Sequence, residues 1–381
     1  MELFIVIPCY NEPDVLTSLN SLALCDTPNC LVTVLVVINS GVDTSPDVVS
    51  QNKLSLAAIH SWLPNKPPWL NLQVLHITDV PYKVAGVGNA RKIGMDKAFD
   101  LAKNKEESVI LCYDADCTCT SNYLSSIVQS FESHPNHDIA TTYFEHPIGN
   151  NHAIVDYELF LRYHYQGLKY AEYPYAYQTI GSSMAVRGNT YKAFGGMNQR
   201  KAGEDFYFLH KIIPYRKVIE IKNCAVIPSA RTSDRVPFGT GHAVAKYDSS
   251  RCKTYYTYHP AIYQEIRSLT KCISGCTLSD LSLDVSDEIR NFMVHEKFEE
   301  ASSKIRQQSK SDALFQQNIF RWLNGFRMLK LVHHLRDTKH TNLPINEAVS
   351  QFWKLHYGQE EQLNNTAWLE KFRNLERQPI A

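Results

Sequence analysis

The sequence predicts an α/β fold: a sheet of parallel strands with helices on both faces, followed by a mainly helical C-terminal region. Two observations carry this reading. The first 120 residues alternate between short β-rich runs and helical stretches, and every run ends in a polar or glycine-rich loop. The runs "LFIVIP", "LVTVLVVIN", "NLQVLHIT" and "SVILCYDAD" lack polar alternation, as expected of strands buried on both faces. Between them, "EPDVLTSLNSLALC" opens with Glu and Pro. "GNARKIGMDKAFDLAKN" follows an Asn89 cap and sets Ile93, Ala98 and Leu101 near one face. Strand and helix in alternation imply a parallel sheet.

The totals fit a globular chain. Of 381 residues, 44% are apolar and 20% charged, and thirty-nine basic residues balance thirty-nine acidic ones. No net field draws the chain to nucleic acid or an anionic membrane. Ten scattered cysteines include no C-x-x-C pair, which argues against a zinc cage. In a long chain that opens directly into a core-like strand, with no secretory leader, they read as free thiols of a cytoplasmic protein. The longest apolar-leaning stretch, "LFQQNIFRWLNGFRMLKLVHHL", carries Arg321, Arg327 and Lys330. Such charges are costly in hydrocarbon, so it reads as an amphipathic helix packed on protein, with peripheral membrane contact as the alternative.

Ligands of parallel sheets bind beyond the carboxyl ends of the strands. Pro8-Cys9-Tyr10-Asn11-Glu12 follows the first strand and Asn39-Ser40-Gly41 the second; "VAGVGNARK" follows the third, and Asp114 and Asp116 the fourth. These loops make one rim. Two aspartates one residue apart repel unless water or a cation separates them, so the "DAD" loop is either a solvated acidic turn or a hard-metal site. Further on, Glu204 and Asp205 open a helix, where they complement its dipole or supply a base. No G-x-G-x-x-G follows the first strand, and no P-loop is present.

Four stretches, in this order, resemble the motifs of family-2-type glycosyltransferases of GT-A fold: "VIPCYNEP", "GVGNARKIGMDKA", "DAD" and "SMAVRGNTYKAFGGMNQRKAGEDFYFLHKI". The last, an Arg, an aromatic, a double Gly and then Gly-Glu-Asp before a helix, is the most specific. The resemblance covers roughly residues 3–245. It implies a GT-A mixed sheet flanked by helices, with residues 1–245 as the catalytic domain; the composition of 246–381, outside the resemblance, reads as a mainly helical accessory region. The resemblance further implies an enzyme that uses a nucleotide-diphosphate sugar, a UDP-sugar in particular, with Mn²⁺ or Mg²⁺.

By the same resemblance Asp116 contacts the metal, while Asp114 faces the ribose or reaches the metal through water. Such hard cations prefer oxygen ligands and can neutralise a leaving diphosphate. Pro8, Tyr10, Asn11 and Glu12 hold base and ribose, although Pro8 and Asn11 also make a good turn without any ligand. Asn39 departs from the family's usual Asp; an amide donates as well as accepts, so it can pair with a base edge differently. Arg91 and Lys92 start a helix beside the glycines, where they can serve the diphosphate together with the helix dipole. Asp205 is the implied general base of an inverting transfer, and Glu204, its neighbour, raises its proton affinity if both are partly buried.

Downstream, Arg231 and Arg235 in "PSARTSDRVPFGTGHAVAKYD" suggest a loop over the donor phosphates or an anionic acceptor. His242 is the candidate late metal ligand. The tyrosines between Tyr157 and Tyr177 suit either a sugar-ring acceptor or an aromatic core. From about Leu269, "SLTKCISGCTLSDLSLDVSDE" reads as linker or surface loops, before a helical remainder with Trp322, Trp353 and Trp368. The expected acceptor is a carbohydrate or lipid-linked hydroxyl. The alternatives are a retaining transferase with a small anionic acceptor, bound by Arg231 and Arg235, and a nucleotide-sugar-binding protein without catalysis.

Overall fold

A computed structural model describes residues 1–149, 151–231 and 254–378. By its internal contacts the chain divides into two compact units. The first takes in Met1–Asn150, Thr179–Ala245 and Glu376–Ala381, and the second Asn151–Gln178 and Lys246–Leu375.

The first unit is built on an eight-stranded mixed sheet. In chain order its strands are β1 (Glu2–Cys9), β2 (Leu31–Gly41), β3 (Leu70–Val80), β4 (Ser108–Cys112), β5 (Thr118–Cys119), β6 (Ile139–Phe144), β7 (Met184–Arg187) and β8 (Val218–Ile227). They lie in the order β3-β2-β1-β4-β7-β6-β8-β5. The first four are mutually parallel, with Val6 opposite Leu35 on one side and Cys112 on the other. β7 then enters antiparallel between β4 and β6, which makes the sheet mixed.

Helices α1 (Val15–Ala23), α2 (Pro46–Trp62), α3 (Val87–Leu101) and α4 (Tyr123–Ser133) connect the early strands, and α6 (Gly188–Ala193) and α7 (Glu204–Ile212) follow β7. β1, β2 and β4 are buried almost throughout, which is why their sequences run apolar without alternation. β3 differs from the expectation of equal burial. It pairs only with β2, and as the edge strand it exposes Asn71, Gln73, His76 and Thr78. The expected Asn89 cap is also displaced. Gly86 caps α3, and Asn89 lies buried in its first turn, where it accepts from Gln199 Nε2 at 2.8 Å.

The second unit is mainly helical, with α5 (His152–Tyr170), α8 (Ala261–Gly275), α9 (Asp287–His295), α10 (Phe298–Gln308), α11 (Asp312–Trp322), α12 (Gly325–Thr338) and α13 (Ile345–Tyr357), and most of α14 (Asn365–Arg377). Two short strands, β9 (Tyr256–Thr257) and β10 (Leu343–Pro344), pair antiparallel. The stretch expected as linker from Leu269 begins inside α8, whose Leu269 and Ile273 are buried; the apolar spacing of that helix was hidden among Ser and Thr.

The single amphipathic helix expected over residues 314–335 is two helices. The chain breaks at Leu323, and the Asn324 side chain caps α12 by accepting from the Arg327 N–H. The tyrosine run is largely an aromatic core. Tyr163 packs edge-on against Tyr263 and Phe352, and the hydroxyls of Tyr163 and Tyr173 donate to the Tyr258 and Leu323 carbonyls. Among the described residues no helix is long and apolar enough to cross a membrane.

At Gly94 α3 packs closely on the sheet: an added Cβ would stand 2.3 Å from Val6 Cγ1 and 3.0 Å from Val37 Cγ2. Gly94→Ala therefore overpacks the interface between α3 and the β1–β2 pair. We expect a loss of about 1–3 kcal/mol, read as a lowered midpoint in urea denaturation. An unchanged midpoint would mean that α3 can lift off the sheet freely.

Candidate active site

The carboxyl ends of β1, β2 and β4 and the N-termini of α3 and α7 converge on one rim. Pro8 lies in β1 opposite Val37, and Tyr10 sits half-buried just beyond the strand. Asn11 has a φ of 50°, in the left-handed region that Asn tolerates better than most residues. Its N–H donates to Asn52 Oδ1 at 2.9 Å. The turn delivers Glu12 fully buried. The Glu12 carbonyl accepts from Ser55 Oγ at 2.6 Å and from Gln51 Nε2, and its carboxylate accepts the Asp14 N–H.

Both oxygens of Glu12 are gripped by the Arg231 guanidinium, which also reaches Asp116 Oδ2 at 3.3 Å. The hydrogen bond to Glu12, with Asp116 nearby, overcomes burial and raises the Arg231 pKa above its ordinary value. Asn39 is buried and its amide donates to the Gly86 carbonyl at 3.3 Å, a contact that the family's carboxylate could not make.

Arg91 forms the second cluster. Only 4% exposed, it donates through Nη1 to Glu204 Oε1 and through Nη2 to Asp114 Oδ1, the latter at 2.5 Å. Burial works against its charge, but the two carboxylates outweigh it and hold the guanidinium charged. Its Nε has no hydrogen-bond partner among the described residues. Gly181 makes the room: a Cβ there would stand 2.5 Å from both terminal nitrogens. The guanidinium expected at the diphosphate is thus engaged with carboxylates of the site. Lys92, on the next position, pairs with Asp96 at 2.8 Å along the helix surface.

Glu204 is buried at the first turn of α7 and Asp205 is half-buried beside it, accepting the Phe206 N–H at 2.7 Å. Burial, reinforced by the neighbouring Glu204 and only partly offset by Arg91, pushes the Asp205 carboxyl up to about 6. Such a group is charged at neutral pH yet basic enough to accept a proton.

The donor set on the "DAD" loop suits a hard divalent cation: the Asp114 and Asp116 carboxylates offer oxygen, and their side chains are 34% and 24% exposed. Among the described residues no group of three or more His, Cys, Asp or Glu side chains forms a cage. The two other expected contacts, Arg235 and His242, lie outside the described residues.

Sequence reasoning missed Gly181, Asn52 and Ser55. The last two had a legible signal, since polar residues three apart recur on the buried face of α2. Gly181 had none.

A mixed sheet of this order flanked by helices is a GT-A fold. Residues 4–189 match the family described as Glycosyl transferase family 2. That part of the chain is a family 2 glycosyltransferase domain, and it holds the rim from Glu12 to Gly181; Glu204, Asp205 and Arg231 lie beyond the matched residues. No protein of curated function matches the chain.

Among solved structures it is similar to residues 1–349 of Staphylococcus aureus TarS in complex with UDP-GlcNAc, at 17% identity and a TM-score of 0.44, over 99% of this chain and 90% of that one. It is also similar to the mannosyltransferase PcManGT of Pyrobaculum calidifontis in complex with GDP-Man and Mn²⁺, at 12% identity and a TM-score of 0.41, over 98% and 86%. At these values the neighbours add nothing to the assignment, which rests on the family match.

Removing Arg91 leaves Glu204 buried without its cation. We expect Arg91→Ala to cost about 3–5 kcal/mol in chemical denaturation. Lys92→Ala, which breaks an exposed pair, should cost less than about 0.5 kcal/mol. Equal costs at the two positions would remove Arg91 from its central place.

Proposed function

We propose that the first unit transfers a hexose from a nucleotide-diphosphate sugar, a UDP-sugar, to a hydroxyl of a carbohydrate or lipid-linked acceptor, with inversion at the anomeric carbon. The observation that carries this reading is the placing of the Glu204–Asp205 pair beside Asp114 through Arg91, on the rim that also bears Asp116, with burial pushing the Asp205 carboxyl up to about 6. Asp205 is the base that takes the acceptor hydroxyl's proton as its oxygen attacks. Burial, with Glu204 adding to it and Arg91 opposing, sets the basicity of Asp205, and Arg91 ties Asp114 to the same cluster.

Asp116, with Asp114 directly or through water, holds Mn²⁺ or Mg²⁺. That cation supplies Lewis-acid neutralisation of the departing diphosphate. Tyr10, Asn11 and Glu12 orient the base and ribose. The alternative, a retaining transferase whose anionic acceptor is bound by Arg231 and Arg235, is separated from this reading by the anomeric configuration of the product.

Thermal unfolding against UDP-, GDP-, dTDP- and CDP-sugars, with and without Mn²⁺, tests the donor. Stabilisation by the UDP-sugar that requires Mn²⁺ is expected, amounting to roughly 2.7 kcal/mol at 100 times the Kd. Asp116→Asn should abolish the Mn²⁺-dependent part. Silence with all four sugars would overturn the reading.

For Asp205→Asn we expect near-normal donor affinity and a fall in turnover of about 10² or more. The pH profile adds a sign. A base must be ionised to act, so kcat/KM of the native enzyme should climb as pH rises through about 6, and that limb should vanish in Asp205→Asn. Stability runs the other way. The folded chain holds this proton more tightly than the unfolded chain, so the Asp205 contribution is greatest below pH 3.8 and is lost as pH rises through about 6.

A further inference from the structure

Ser18, Ser21 and Cys25 recur every three or four residues along α1 and its C-terminal turn, and so share one face. That face is bonded to the segment that carries the paired aspartates. Ser18 Oγ donates to the Cys117 carbonyl at 2.7 Å, and Ser21 Oγ accepts the Cys119 N–H at 2.9 Å. One residue beyond Cys25, the Asp26 N–H donates to the Ser121 carbonyl at 2.8 Å. Within this seam Cys25 Sγ lies 3.6 Å from Cys119 Sγ, against about 2.05 Å in a disulfide.

The two thiols are unlike. Cys25 is 6% exposed, whereas Cys119 is part-exposed. Hydrogen bonding to Cys25 and Ser21 holds the Cys119 thiol below its usual range despite burial, and the same contact with Cys119 pushes the Cys25 thiol up. Cys112, Cys117 and Cys224 are buried, and burial pushes each of their thiols up. Reactivity with a small oxidant follows thiolate character and exposure, which separates Cys119 from these three.

We propose that Cys25 and Cys119 form a peroxide-oxidised dithiol site, with Cys119 as the attacking thiol and Cys25 as the resolving one. The Cys119 thiolate attacks one oxygen of hydrogen peroxide and the O–O bond breaks. The other oxygen leaves as hydroxide and is protonated to water, leaving Cys119 as a sulfenic acid. The Cys25 sulfur then attacks the Cys119 sulfur and forms the S–S bond. The sulfenic oxygen departs with the Cys25 proton as a second water. Two thiols are oxidised to one disulfide, and one peroxide is reduced to two waters. The bond fastens α1 to β5 and so clamps the segment running from Asp114 to Ser121. This site is independent of the donor and acceptor proposed above.

The test treats the full chain with hydrogen peroxide, blocks remaining thiols with N-ethylmaleimide, and maps peptides by mass spectrometry. The expected product is a Cys25–Cys119 linked pair lacking two hydrogens, reversed by dithiothreitol, with slower hydrogen exchange at residues 117–121. In Cys25→Ser, dimedone should label Cys119, because the sulfenic acid is no longer resolved. Both thiols recovered as maleimide adducts after peroxide, or Cys119 recovered bonded to Cys117, would overturn the proposal. The native peptide map decides the matter even if the variant fails to fold.

Discussion

The arrangement of the rim depends on one buried cation. The Arg91 guanidinium joins the end of β4, through Asp114, to the start of α7, through Glu204. Without it, two carboxylates and the neighbouring Asp205 would be forced together in a poorly solvated place, where like charges cannot all remain ionised. The surrounding structure is shaped to admit that group: Gly181 leaves its volume free, and Gly94 presses α3 onto the sheet one turn further along the same helix.

Among the described residues of the rim, five carboxylates (Glu12, Asp114, Asp116, Glu204 and Asp205) face two guanidinium groups, Arg91 and Arg231. The excess is negative. A diphosphate would be repelled by such a surface unless a divalent cation came with it, whereas burial first and the neighbouring Glu204 second hold the Asp205 carboxyl above its ordinary range.

Much of this was legible in the sequence because parallel strands write their burial plainly. The apolar runs of β1, β2 and β4 and the polar residues that end them locate the rim without any structure. β3 was misjudged as equally buried, since Val74, Leu75 and Ile77 resemble a core strand and nothing local marks an edge. Asn89 reads as a cap because it is the first capping residue type in that stretch, whereas α3 begins three residues earlier with Gly86 at the cap position and no side-chain cap bond. Partners were the least legible. Arg91 stood out by motif, but its bond to Glu204 spans 113 residues and that of Arg231 to Glu12 spans 219, and no local spacing encodes such pairs. The tyrosines of α5 stayed ambiguous, because an acceptor platform and an aromatic core call for the same residues.

The position of β7 bears on how the chain is made. The parallel set β3-β2-β1-β4 is contiguous in space and complete once residue 112 has left the ribosome. β6, though synthesised earlier than β7, has no place beside β4 until Met184–Arg187 arrives to lie between them. The nascent chain must therefore carry β6 without its β7 ladder while the whole of α5 is being translated. Sheet completion, and with it the delivery of Glu204 and Arg231 to the rim, therefore waits for β7 and β8 rather than following directly on the parallel set.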